Sequence, residues 1–202
     1  MNFTLRSCAI MMLGFMAHGC KKGESPIKDT GIIYGLVQKE LSYNKRFTVD
    51  LNGDQRDDLY FSSVLTYDGQ THRYLTVNST STSGGKLQLD KSEPMIINGN
   101  WAQPLKEGDL IQASPPKDTY WSNYTIKGVL LGILEAPSGN EVLGPWRNQQ
   151  ESYVGVQLQI ADKSHFGWLR VTHKSGEELV TIVDYAYNTA PLQAIEAGQK
   201  SN

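Results

Sequence analysis

The densest run of oxygen ligands in this 202-residue chain is DLNGDQRDD, Asp50 to Asp58. Asp50, Asn52, Asp54 and Asp58 fall at relative positions 1, 3, 5 and 9, a spacing that lets a coiled loop turn several oxygens onto one centre. Oxygen-only donors suit a hard cation such as Ca2+. Arg56, at position 7, adds a backbone carbonyl, a ligand that does not depend on side-chain identity. Carboxylates brought together repel unless a cation neutralises them. The same Asp, Asn and Gly content also builds an ordinary hairpin turn with no metal. Both readings stand at this level, and a Ca2+ held here is expected to serve structure.

A second set with chemical potential is His165, Phe166, Trp168 and Arg170, followed by Asp184. A nucleophilic triad needs an elbow or a base held by an orienting partner, and no G-x-S-x-G occurs. His72, His165 and His173 do not share zinc-like spacing with a Cys, and there is no HExxH. No catalytic residue is therefore assigned. Phe166 and Trp168 are expected to pack in a sheet, with Arg170 and Asp184 pairing across adjacent strands. The alternative is a glycan-acting hydrolase, whose two carboxylates sit on separate strands and escape motif reading. Trp101, Trp121 and Trp146 lie with Tyr120 and Tyr124 in a proline-containing stretch. Such rings either stack on sugars at a sheet edge, giving a carbohydrate-binding surface, or fill the core.

The third reactive group is the thiol of Cys20. Residues 1–20, MNFTLRSCAIMMLGFMAHGC, carry Arg6, a short apolar stretch from Ser7 to Met16 and small residues before the Cys. That is the layout of an export signal. The apolar stretch is shorter than the roughly 20 residues that cross a bilayer. Ending in Gly19-Cys20, the segment resembles the lipobox of bacterial lipoproteins, although Ala17 and His18 replace the usual Leu and small residue. The resemblance implies diacylglycerol, with its palmitate-type chains, on the Cys20 thiol and cleavage after Gly19. Cys8 leaves with the signal, so Cys20 would be the sole thiol, consumed by the lipid. Residues 1–19 are thus read as a signal peptide and 20–29 as lipidated Cys and polar tether, with residues 30–202 a single β-rich domain. The partner implied is a membrane of the cell envelope. Lys21 and Lys22 do not resemble the acidic inner-membrane retention signal, which favours the outer membrane; without the lipid the chain would be secreted. With 19 basic and 21 acidic residues, nothing points to nucleic acid.

The elements that must position these groups read as strands. Thr30 to Glu40 and Arg46 to Leu51 are β-rich, and Leu59 to Tyr67 and His72 to Val77 flank the turn dipeptide Asp68-Gly69. Thr125 to Glu135 is rich in Val, Ile and Leu. Tyr153 to Ile160 alternates, with Val154, Val156, Leu158 and Ile160 on one face and Gln157 and Gln159 on the other. Phe166 to Thr172 and Leu179 to Tyr185 follow. Thr76 to Gly85 reads as a loop or hairpin tip, and Asn98 to Tyr124 as loop-rich. No long segment keeps a helical period. The fold expected is mainly β, an antiparallel β-sandwich or barrel-like domain.

Two family resemblances join these readings. The Asp50–Asp58 spacing resembles the calcium loops of EF-hands, dockerins and FG-GAP repeats, departing from the EF-hand at Gln55 and Phe61; the strand-loop-strand setting fits the FG-GAP kind better. YVGVQLQI, SHFGWLRVT, VTIVDYAYNTAP and the final IEAG resemble the last strands of an uncharacterised bacterial exported domain. That domain often precedes PEP-CTERM or secretion-sorting tails and commonly carries an early acidic loop. The resemblance implies a secreted β-domain with no established activity, here held by the lipid on Cys20 in place of a tail. The function expected is a non-catalytic exported domain with a binding or structural role.

Overall fold

The computed structural model describes residues 31–92, 97–174 and 176–201. In chain order its strands are β1 (Ile32–Ser42), β2 (Phe47–Val49), β3 (Leu59–Tyr67), β4 (Thr71–Ser79), β5 (Lys86–Asp90), β6 (Gly99–Trp101) and β7 (Leu110–Ile111). There follow β8 (Thr119–Trp121), β9 (Lys127–Leu134), β10 (Glu141–Leu143), β11 (Glu151–Ile160), β12 (Lys163–Thr172), β13 (Leu179–Asn188) and β14 (Ile195–Glu196), with a 3-10 turn at Pro145–Asn148. One sheet runs β1-β13-β12-β11-β5-β8 and the other β10-β9-β4-β3-β2. β6 lies parallel beside β9, β7 pairs with β14, and the remaining pairings are antiparallel. The two sheets stack and neither closes on itself, so the fold is a β-sandwich rather than a barrel.

The period-2 pattern of β11 sets the inner layer. Val154, Val156 and Leu158 join Leu169, Val171 and Ile182 of the same sheet and Phe61, Leu75, Val77 and Ile133 of the other in one buried cluster. Burial of a side chain of this size stabilises by about 1.5–3 kcal/mol, which fixes the register, because a one-residue slip would turn the whole apolar set outward. β11 and β12 are joined by Ala161 and Asp162, both at positive φ (48° and 61°), the conformation a tight two-residue hairpin requires.

The opposite face of this sheet is not left to solvent. Tyr153, Phe166, Trp168 and Ala186 form a second buried cluster with Leu105, Ile111, Ile195 and Ala197. The covering layer consists of the chain around Leu105 to Ile111 and the C-terminal tail, tied together by the β7–β14 ribbon. This third layer explains why β12 carries bulky residues at both parities.

The region expected to be loop-rich, Asn98 to Tyr124, holds three short strands, β6, β7 and β8. Trp101 anchors one of them, its ring lying where side chains on Gly132 and Gly144 would stand: a Cβ on Gly144, at φ 95°, would meet the ring at 2.3 Å. The Thr76–Gly85 stretch is also only partly loop. Thr76 to Ser79 completes β4, because Val77 and Ser79 pair with Phe61 and Leu59. At the sheet edge β1 is bulged between Leu36 and Lys39, with Gln38 at φ 51°. Such a kink discourages pairing with another strand.

Candidate functional site

The acidic loop closes the β2–β3 hairpin. Asp50 accepts the amides of Gly53 (2.7 Å) and Gln55 (2.8 Å), Asn52 that of Asp54 (2.9 Å), and Asp54 that of Arg56 (2.9 Å). Each polar side chain thus replaces a backbone carbonyl as acceptor and winds the chain into a compact coil. Asp58 differs from its neighbours. It is buried, 2% exposed, and its Oδ2 accepts the amide of Leu51 at 2.8 Å. Burial pushes its carboxyl up to about 6, opposed by the Leu51 amide and reinforced by the charges of Asp50 and Asp54. None of the ion pairs among the described residues includes Asp50, Asp54, Asp57 or Asp58. Nor are any three His, Cys, Asp or Glu side chains of the described residues grouped to hold a metal.

Two neighbours brace this loop. The amide of Thr80 and the hydroxyl of Ser83 donate to the Asp58 carbonyl (2.9 and 3.2 Å), and the Thr80 hydroxyl donates to that of Asp57. The Ser/Thr/Gly stretch is therefore a support for the acidic coil. Tyr185 of β13 stands close enough that Asp50 and Asp58, after burial, raise its phenol. Its ring occupies the space above Gly35, where a Cβ would meet it at 2.6 Å.

The second set centres on Asp184, whose side chain is fully buried. Arg170 lies opposite it in register and grips it with two prongs, Nε to Oδ1 at 2.8 Å and Nη2 to Oδ2 at 2.6 Å. The Tyr34 hydroxyl donates to Oδ2 at 2.7 Å, and the Lys200 ammonium lies 3.5 Å away, over the Tyr34 ring. Burial pushes Asp184 up, but the Arg170 and Tyr34 hydrogen bonds and the charges of Arg170 and Lys200 outweigh it and hold the carboxyl below its usual range. Both carboxylate oxygens are thus engaged within the fold. Trp168 donates its indole N–H to the Gln199 carbonyl at 3.1 Å. The constellation is a clamp on the C-terminal tail.

No protein-family model, curated protein or solved structure gives a significant match to this chain. The chemistry of its own groups must therefore carry the functional reading.

The histidines are dispersed. His165 Nδ1 meets the Asn188 carbonyl and His173 Nδ1 the Leu179 carbonyl, both at 3.0 Å, while His72 Nε2 pairs with Asp68 across the β3–β4 turn. The aromatics also part company. Trp146 is core, its indole N–H on the Ala102 carbonyl; Tyr120 donates to Asn100; Tyr124 is exposed; and Trp121 stacks on Phe166 at 5.7 Å. Cys20 and the rest of residues 1–30 lie outside the described residues. Among the described residues no helix is long and apolar enough to cross a membrane. Sequence reasoning missed Tyr34 and Lys200, and Glu151, whose Oε2 accepts from Arg170 Nη1 at 3.3 Å, as partners of the Arg170–Asp184 pair. Tyr34 is 150 residues from Asp184, and no local pattern links them.

Proposed function

We propose that this chain is a lipid-anchored, non-catalytic β-domain of the bacterial cell envelope, with a binding role or a structural one. The observation that carries the non-catalytic part is the full engagement of Asp184 by Arg170, Tyr34 and Lys200. The charged groups of the C-terminal strands hold the fold's end in place, where a hydrolase would need a free carboxylate facing a cleft. The anchoring part rests on the lipobox-like end at Gly19-Cys20 and the polar tether behind it. The outer membrane is the favoured site. Mass spectrometry of protein recovered from bacterial membranes tests this directly. A mature chain beginning at diacylated Cys20 is expected, and an unmodified Cys20 in soluble protein refutes the anchor.

A Ca2+ on the acidic loop is a second reading, favoured by the burial of Asp58 among acidic neighbours that form no ion pair among the described residues. Asp50, Asn52, Asp54, Asp58 and the Arg56 carbonyl are the donors. Because burial raises the folded-state value of Asp58 to about 6, its ionisation weakens the metal-free fold. The loss begins near the unfolded value, is complete once pH passes the folded one, and amounts to about 3 kcal/mol. A bound cation would favour the ionised form and remove that penalty. Thermal unfolding from acid to neutral pH is therefore expected to fall without Ca2+ and to stay level with it. Asp58→Asn should flatten the metal-free profile, and Asp54→Ala should abolish the Ca2+ response. Identical profiles with and without Ca2+ would end the metal reading.

A further inference from the structure

We infer that the cleft between β5, β8 and the chain from Gln103 to Thr119 binds a neutral, hydroxyl-rich ligand, a segment of glycan. The cleft measures about 340 Å³, within the range of small-ligand sites. Its polar lining is Gln88, Gln103, Asp109, Gln112, Ser114 and Thr119, with two leucines and two prolines forming the apolar wall. No Lys, Arg or His lines it, so an anion would meet Asp109 with no counter-charge. Amides and hydroxyls both donate and accept, which is the complement a sugar's hydroxyls require.

The groups facing this cleft are under-used. The side chains of Gln112 and Ser114 are exposed and make no hydrogen bond among the described residues. Gln88 is 1% exposed, and its Nε2 reaches Thr119 Oγ1 only at 3.4 Å, while its Oε1 is buried with no partner among the described residues. That oxygen rests against Gly155, where a Cβ would stand 2.6 Å away. A buried amide left half-satisfied is costly, and terminal amide torsions are broad. A ligand hydroxyl reaching Gln88 from the cleft would replace the long contact to Thr119 with a full hydrogen bond.

The walls are already fixed. The Trp121 indole N–H donates to the Gln112 carbonyl at 3.0 Å, and Thr119 Oγ1 donates to the Pro116 carbonyl at 3.0 Å. Ala197 of the clamped tail donates to the Asp109 carbonyl at 2.9 Å, and Gly108 to that of Ala197 at 2.9 Å. Trp121, in register with Gln88 on the neighbouring strand, is half-buried and stacked on Phe166. Walls held in this way lower the ordering cost of binding.

The inference rests on the binding role proposed above but not on the lipid at Cys20. Saturation-transfer NMR of the whole domain with neutral oligosaccharides, glucans, mannans and N-acetylglucosamine oligomers, is the test. Saturable millimolar or tighter binding is expected for at least one. Gln112→Ala together with Ser114→Ala should weaken it about tenfold with unchanged melting, because both side chains are exposed. Gln88→Leu should weaken it as much without lowering stability, since the unpaired oxygen is gone. No saturable transfer from any neutral oligosaccharide, or binding confined to charged ones, would overturn the assignment, as would binding untouched by all three substitutions. The mass of Cys20 is read independently, so this failure would leave the anchor standing.

Discussion

Arg170→Met is expected to destabilise the domain by about 3–5 kcal/mol at neutral pH, because it strands a fully buried carboxylate. Asp184 would keep the Tyr34 hydroxyl and a half-exposed Lys200, and burial would then dominate. The pH dependence distinguishes this from a loss of packing. In the native protein the folded-state value of Asp184 is lowered, so its contribution is present above the ordinary carboxylate value, near 4, and fades as pH falls through the lower folded one. In the variant the value is raised, so the ionised carboxylate becomes a penalty that protonation relieves. Urea unfolding should therefore show the gap between the two proteins at its widest near pH 7 and narrowing steadily toward pH 4. Asp184→Leu added to Arg170→Met should restore most of the lost stability, since a packed apolar pair avoids the stranded charge. A small loss that does not change with pH would show that Arg170 acts only through its aliphatic stem.

How much of this clamp was legible in the sequence depends on distance along the chain. The Arg170–Asp184 pair is readable because β12 and β13 follow one another across a short polar turn and carry opposite charges that can meet across adjacent strands. Tyr34 was not, although β1 itself was, since nothing local says that β1 pairs with β13 at the sheet's edge. Lys200 lay in a tail that looks like a polar terminus. Its role depends on Trp168 facing outward into a third layer, and alternation alone does not distinguish an outer buried face from an inner one.

β3 was read to its ends because its partner follows directly after a turn. β5, β6, β7, β8, β10 and β14 escape the sequence reading because strands of two to five residues carry too few apolar positions to show a period. Proline obscured them further: Pro115 and Pro116 stand between β7 and β8, where the chain turns to pair with different partners. The acidic coil was legible as a loop from composition alone. Its brace at Thr80 and Ser83 was not, because side-chain support across a hairpin leaves no spacing to read.

Trp168→Ala is the second large effect, expected to cost about 3–5 kcal/mol. Trp168 is fully buried, meets Tyr153 edge-on at 5.3 Å and belongs to the outer cluster, apart from the core between the sheets. The loss should therefore not be spread evenly. The amides of Gly108 and Ala197, whose bonds tie the tail to the covering loop, should exchange with solvent well before the inner strands open. Trp168→Phe keeps most of the packing but removes the donor to the Gln199 carbonyl, so it should cost less and still loosen the tail. Leu169→Ala supplies the contrast: one position along, it faces the inner cluster and should lower global stability while leaving the tail's exchange tied to global unfolding. If Leu169→Ala freed the tail as readily as Trp168→Ala, the two layers would be a single cooperative unit. The clamp would then be part of the core and not a strap laid across it.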